Sequence, residues 1–325
     1  MNSDRTLQNL SGRPGPVEFF LPREEGMDWA VVIPVRNRPD LLEKCLDSIR
    51  KQQFPDGRGE VLICDDGSTE DHSAVVESFI PSLPNLRILR QPPKGPAAAR
   101  NLGLRSTDAD IIVLLDSDVI CKKDFLSKIV GALYAHLNWA GAEASILPEG
   151  KKEGPLWESP VCRDGGLYQT AGIAYRREAL IRVGGFDEAF KLPACEDAEI
   201  AWRILKENVI GFVPEAIVYH PARRVTLRTL WRWSKFWKYE MILAKRYGFL
   251  AFPGRPAGRV PRFRVALCAV INLPGRIFLD ACKYLPMSPR EGIITWGYAF
   301  FNFICGLVAL PEILFGEIPE REKYV

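Results

Sequence analysis

Between Trp29 and His136 the sequence alternates, with few spare residues, between short Val/Ile/Leu runs and stretches of helical spacing. No other feature constrains the fold as strongly. "WAVVIPV" (29–35), "GEVLICDDGS" (59–68), "LRILRQ" (86–91) and "DIIVLLD" (110–116) read as strands. Their near-continuous apolar character is that of strands covered on both faces. "RPDLLEKCLDSIRKQ" (38–52) sets Leu41, Leu42, Cys45, Leu46 and Ile49 on one helical face, with Pro39 suited to the first turn. "HSAVVESFI", "GPAAARNLGLRS" and "KDFLSKIVGALYAH" supply the helices after the next three strands. Strand–helix alternation of this kind implies right-handed crossovers and a mostly parallel, Rossmann-like α/β sheet.

The pattern then changes. "WAGAEASIL" (139–147), "GLYQTAGIAYRREAL" (166–180) and "VIGFVPEAIVYHP" (209–221) read as strands with longer connections, and "DAEIAWRILKEN" (197–208) as a helix. A mixed second half of the sheet is expected. Residues 1–27 read as a tail without a signal peptide's apolar stretch. The eight cysteines form no C-x-x-C pair, and several sit in apolar runs, which fits a reducing, cytoplasmic setting.

In open α/β sheets, ligands bind beyond the carboxyl ends of the strands. Three strands deliver polar clusters to that edge: Pro34-Val35-Arg36-Asn37, Asp65-Asp66-Gly67-Ser68 and Asp116-Ser117-Asp118. If the extended backbone persists past Leu115, Asp116 and Asp118 point to one side. Two such carboxylates repel unless a cation or proton lies between them, and an oxygen-rich set favours Mg²⁺ or Mn²⁺. A surface turn of ordinary acids is the plain alternative.

The order "VVIPVRNRPDLLEKCLDSIRKQ", "VLICDDGSTED", "KGPAAARNLGL", "VLLDSDV", "RREALIRVGGFDE" and "CEDAEIAWRIL" resembles glycosyltransferase family 2, over residues 28 to about 222. The resemblance implies a GT-A fold and an inverting transfer of sugar from a nucleoside diphosphate sugar. It implies that Pro34, Arg36 and Asn37 line the nucleotide pocket. Asp66, with Asp65 beside it, would meet the nucleobase, and Arg100 would hold the pocket wall or reach the nucleotide. Asp116, Ser117 and Asp118 form the D-x-D element for metal and diphosphate, His220 would be a third metal ligand, and Asp197 the catalytic base beside Glu196. Read without the resemblance, Glu196 and Asp197 are also first-turn helix acids, and His220 an ordinary strand-end histidine.

Past residue 225 the resemblance fades and the composition shifts. Residues 221–264 hold twelve Lys/Arg and one acid, so this block is +11 in a chain of net +3. Such asymmetry points to an anionic partner. "TLRTLWRWSKFWKYEMILAKRYG" (226–248) reads as one basic amphipathic helix with Leu227, Leu230, Trp231, Ser234, Trp237, Met241 and Ala244 on its apolar face. A linker to about residue 260 and two apolar segments (265–285 and 292–316) complete the chain, giving a C-terminal helical region over 261–325. Aromatic rings among cations suit a membrane surface, and the apolar segments favour that reading over nucleic acid. An interfacial hairpin, a span at 292–314 and helices packed on the catalytic domain or in an oligomer all stay open. The expected partners are a nucleotide-sugar donor, a glycan or lipid-linked acceptor, and the inner face of a membrane. Two rivals remain: transfer to a polyprenyl phosphate, and a non-catalytic nucleotide-binding membrane scaffold.

Overall fold

In the computed structural model the first four apolar runs become parallel neighbours. They are β1 (Trp29–Val35), β2 (Gly59–Asp66), β3 (Leu86–Gln91) and β4 (Ile111–Leu114), side by side in the order β3-β2-β1-β4. Helices α1 (Pro39–Arg50), α2 (Ser73–Phe79) and α3 (Pro96–Arg105) make the crossovers. The structure describes residues 26–83, 85–150, 157–247, 249–250, 255–256, 271, 275, 278–279, 282 and 289–315. The expected tail, apart from residues 26 and 27, and most of the linker and first apolar segment lie outside these.

The sheet continues through β8 (Ile173–Arg176), β6 (Trp139–Glu149), β9 (Val209–Pro221) and the two-residue β5 (Ile120–Cys121). β8 runs antiparallel to β4 and β6, β9 parallel to β6, and β5 antiparallel to β9, so the second half is mixed. α4 (Phe125–Ala135), α5 (Arg177–Arg182) and α6 (Glu196–Leu205) belong to this half. Residues β7 (Trp157–Glu158) and β10 (Arg223–Arg224) pair as a separate short ribbon.

Strand alternation sorts the core into two layers. Val31, Ile33 and Val35 of β1 join Leu42 and Ile49 of α1 and Phe125 and Ile129 of α4 on one face. Ala30 and Val32 join Ala97 and Leu104 of α3 and Ile200 and Ile204 of α6 on the other. Each of the Val, Leu, Ile and Phe side chains among these, fully buried, contributes about 1.5–3 kcal/mol. α3 sits close on its layer because Gly103 has no Cβ: one placed there would lie 2.5 Å from the Val32 Cγ1.

The strand expected over 166–180 is shorter than its pattern suggested. Only Ile173–Arg176 joins the sheet, and helix α5 follows at once. The reason is Glu143, buried on β6, whose carboxylate accepts N–H bonds from Gly166, Leu167 and Tyr168. Those donors are satisfied by a side chain rather than by a ladder, and Gly165, Gly166 and Tyr168 all have positive φ.

The basic helix is also two helices, α7 (Leu227–Ser234) and α8 (Trp237–Tyr247). Lys235 N–H bonds Arg232 O and Phe236 N–H bonds Trp233 O, tight i to i+3 closures that end α7. The break re-aims the second half. Tyr239, Ile242 and Leu243 pack with Phe190 and Cys195, while Leu227 and Trp231, expected on the apolar face, are 49% and 45% exposed. Short strands β11 (Phe249–Leu250) and β12 (Arg255–Pro256) pair just after α8. Helix α9 (Pro289–Phe315) packs on α7 and α8. Its residues 292–315 have mean hydropathy 1.8 and are long and apolar enough to cross a membrane.

Candidate active site

The carboxyl ends of β1, β2 and β4 meet the start of α6 and the end of β9 around a cleft of about 520 Å³. Pro34, Arg36, Asp66, Arg100, Asp116, Ser117, Asp118, Glu196, Asp197 and His220 all line it. Asn37 and Asp65, expected beside them, do not. Asn37, at φ 59, turns its Oδ1 to accept from Thr69 N–H at 2.8 Å and Glu70 N–H at 3.3 Å. It clamps the loop after β2 to the end of β1. Arg38, also left-handed at φ 62, faces the cleft in its place. Asp65 accepts from Ser68 N–H at 2.9 Å and lies 3.6 Å from Arg90.

Asp66 is buried and accepts from Gln91 Nε2, Lys94 N–H and Gly95 N–H at 2.7–2.8 Å. A carboxylate has about four acceptor sites, so one remains for a ligand. The same bonds fix the start of α3. Gly95 there has φ 103 and approaches Lys191 O so closely that a Cβ would stand 2.6 Å from it.

β4 ends at Leu114, so Asp116 and Asp118 do not share a side by strand alternation as expected. Val119 N–H reaches back to Asp116 O at 3.4 Å, and a turn brings the carboxylates together instead. One ligand atom each from Asp116, Asp118 and His220 lie within 4.8 Å of one another. His220 Nε2 is 3.5 Å from Asp118 Oδ1, and its Nδ1 is 3.1 Å from Pro221 O, which sets the ring's orientation. Two carboxylates and an imidazole suit a divalent cation. Arg223 and Arg38 also pair with Asp118, the latter at 3.8 Å.

Arg100, buried on α3, bridges the two acidic groups, 2.9 Å from Glu196 and 3.0 Å from Asp116. Burial works against its charge, but Glu196 and Asp116 outweigh that and hold it above its usual value. Glu196 and Asp197 open α6 behind Cys195, a cap residue at φ 71. Burial raises the Glu196 carboxyl despite Arg100, and its Oε2 has no hydrogen-bond partner among the described residues. Desolvation, then the Glu196 charge, with Asp116 adding to them, push Asp197 up to about 7, against the Ala198 N–H and Arg100. At neutral pH such a group both takes and gives up a proton readily.

Sequence reading missed several cleft residues: Arg38, Gln169, Thr170, Lys191, Arg223 and Arg232. Arg38 and Arg223 carried a signal, lying two residues past Arg36 and three past His220. Gln169 and Thr170 carried none, because Glu143 places their loop.

Residues 30–152 match the model for Glycosyl transferase family 2. This stretch is similar to a family 2 glycosyltransferase domain. Relatives agree. The pre-mycofactocin glycosyltransferase of Mycobacterium tuberculosis is 31% identical over 218 residues, covering 60% of this chain and 43% of that protein. The poly(ribitol-phosphate) β-N-acetylglucosaminyltransferase TarS of Staphylococcus aureus is 24% identical over 212 residues, 61% of this chain and 36% of TarS. The chain therefore spans less than half the length of these relatives. Among solved structures, the mannosyltransferase PcManGT of Pyrobaculum calidifontis, in complex with GDP-Man and Mn²⁺, superposes with TM-score 0.58 at 19% identity over 87% of both chains. S. aureus TarS residues 1–349 with UDP-GlcNAc gives 0.53 at 18% identity, over 89% of this chain and 84% of that one. At such identities the likeness establishes the glycosyltransferase (GT-A) fold.

Proposed function

We propose that this chain is an inverting glycosyltransferase that moves a sugar from a nucleoside diphosphate sugar to a hydroxyl of a glycan or lipid-linked acceptor. The observation that carries the reading is the placement of Asp197, with its raised pKa, in one cleft with the Asp116–Asp118–His220 cluster. Fold neighbours solved with GDP-Man and UDP-GlcNAc support the donor class.

Asp116, Asp118 and His220 would hold the divalent cation, and the imidazole nitrogen favours Mn²⁺ over Mg²⁺. Bound there, the cation would neutralise charge developing on the departing diphosphate. Arg100 holds Asp116 in place for it. Asp66, with one acceptor site left, and Pro34 and Arg36 form the nucleotide end of the cleft, while Asn37 and Asp65 support the loops. The free Glu196 oxygen accepts a hydroxyl of the sugar. Asp197 takes the acceptor hydroxyl's proton as the new bond forms; it is not tied to the cation cluster, so its lone pair stays available. Direct displacement needs no covalent nucleophile. A hydroxyl acceptor needs this base, whereas a phosphate acceptor does not, which sets the present reading above transfer to a polyprenyl phosphate. The exposed apolar stripe of α9 and the cations of α7 support attachment to the inner face of a membrane.

The test is hydrolysis of a panel of nucleotide sugars by the full chain with Mn²⁺, with Mg²⁺ and with EDTA. Turnover of at least one donor, abolished by EDTA, is expected. No turnover together with no metal-dependent nucleotide binding would overturn the reading.

A further inference from the structure

The cleft continues past His220 into a second hollow of about 1130 Å³, bounded by α7, the β10 ribbon and the Ser159–Pro160 segment. Arg38, His220, Arg223 and Arg232 line both spaces. The far wall adds Arg224, Arg228 and Lys235, with Trp231 and Trp233 beside them. Against these cations stands, among the described residues, a single lining acid, Glu158. Among the described residues neither Arg228 nor Arg232 has an ion-pair partner. Partial burial, with Arg38 and Arg228 close by, holds the Arg232 guanidinium below its ordinary value. Like charges gathered around a recess are stabilised by an anion placed between them. Guanidinium forks match phosphate oxygens two at a time.

We propose that this hollow binds a phosphate or diphosphate group carried by the acceptor, held chiefly by Arg228 and Arg232. This rests on the reading of the cleft as a donor site and adds the acceptor's chemical class: an alcohol or sugar borne on phosphate. The donor's own diphosphate belongs on the other side of His220, against Asp116 and Arg100. Leu192 and Pro193, just before Asp197 in the chain, line both spaces. An acceptor anchored by its phosphate in the hollow can therefore extend a hydroxyl through the shared mouth to Asp197. The phosphate serves as a handle and the hydroxyl as the nucleophile.

The experiment is calorimetric titration of the full chain, in EDTA, with inorganic pyrophosphate and with a short water-soluble alkyl diphosphate. Replacing Arg228→Gln and Arg232→Gln together is expected to weaken both about tenfold or more, since two charge-assisted contacts are lost. Asp116→Asn should leave both within about twofold, because Asp116 does not line the hollow. Unchanged affinity in the double variant overturns the proposal. So does an equal loss in Asp116→Asn, which would put the anion in the donor cleft. Sedimentation with phosphatidylglycerol vesicles separates the other phosphate source. If the double variant loses vesicle binding but keeps the alkyl diphosphate, these cations serve the bilayer and the proposal falls. Nucleotide-sugar hydrolysis is measured on the same proteins. Its survival in a double variant with unchanged diphosphate binding sinks only this proposal, whereas its absence in every form, together with no metal-dependent nucleotide binding, sinks the donor reading beneath it.

Discussion

At the scale of single residues, the most telling group is Asp197. Its pKa of about 7 stands well above the ordinary aspartate value of 3.8, chiefly through desolvation and then Glu196. As the proposed base it must be ionised, so kcat/KM should rise with pH and level off above about 7. Asp197→Asn should cut transfer about 10²–10⁴-fold and remove that limb. Stability runs the other way. A raised folded pKa contributes stability that is present below the unfolded value and lost as pH rises through the folded one. Asp197→Asn should therefore raise Tm relative to wild type more at pH 8 than at pH 5. An equal Tm difference at both would show that the carboxyl is not perturbed. Much of this site was readable in sequence, because Asp66, Asp116 and Asp118 interrupt runs that are otherwise wholly apolar. Asn37 and Asp65 show the limit. Their residue types fit a ligand site, but loop N–H groups 32 and 33 residues away occupy the Asn37 Oδ1, and no local pattern encodes that.

At the scale of elements, the strand–helix alternation was legible because periods of two and 3.6 differ sharply, and burial on both faces leaves the strands uniformly apolar. The short β8 and the break between α7 and α8 were not, since each is set by a distant contact: Glu143 for one, the Phe190 pocket for the other. The break matters to the chemistry. Tyr239 Oη accepts from Leu192 N–H at 3.1 Å, Cys195 Sγ donates to Glu240 at 3.6 Å, and Arg246 pairs with the buried Asp187. Helix α8 thus props the segment that ends in Glu196 and Asp197. Leu243→Ala, which opens a cavity against Phe190, should cost about 2–5 kcal/mol in denaturant unfolding. It should lower kcat more than it weakens nucleotide binding. An unaltered kcat at a temperature where the variant is folded would remove α8 from the catalytic unit.

At the scale of the whole molecule, α9 is two-faced. Thr295, Ala299, Cys305 and Ile313 are buried, while Ile293, Phe300, Leu307, Val308 and Phe315 are 39–80% exposed. Those exposed positions recur at helical spacing, so they form one stripe along about six turns, since a helix turns every 3.6 residues. Replacing Phe300, Leu307 and Val308 by Ser should abolish flotation with anionic liposomes while leaving the far-ultraviolet circular dichroism and metal-dependent nucleotide binding unchanged. Retained flotation would mean that the stripe faces something other than lipid. Composition had shown the apolar run, but only packing on α7 and α8 decides which side of it is left outside.

The buried thiols carry a further consequence. Cys45, Cys121 and Cys162 lie in one core layer and Cys64 in the other, Cys195 sits under α8, and Cys305 is on the covered side of α9. All are free, and burial raises each thiol, Cys64, Cys121 and Cys162 to about 12. A thiol so placed reacts with an alkylating reagent only when its own layer opens. Pulsed labelling read by mass spectrometry would then time the opening of each layer separately, with no probe added. The order in which Cys305, Cys195 and Cys64 become reactive is the order in which the C-terminal helices, the loop beneath them and the sheet come apart.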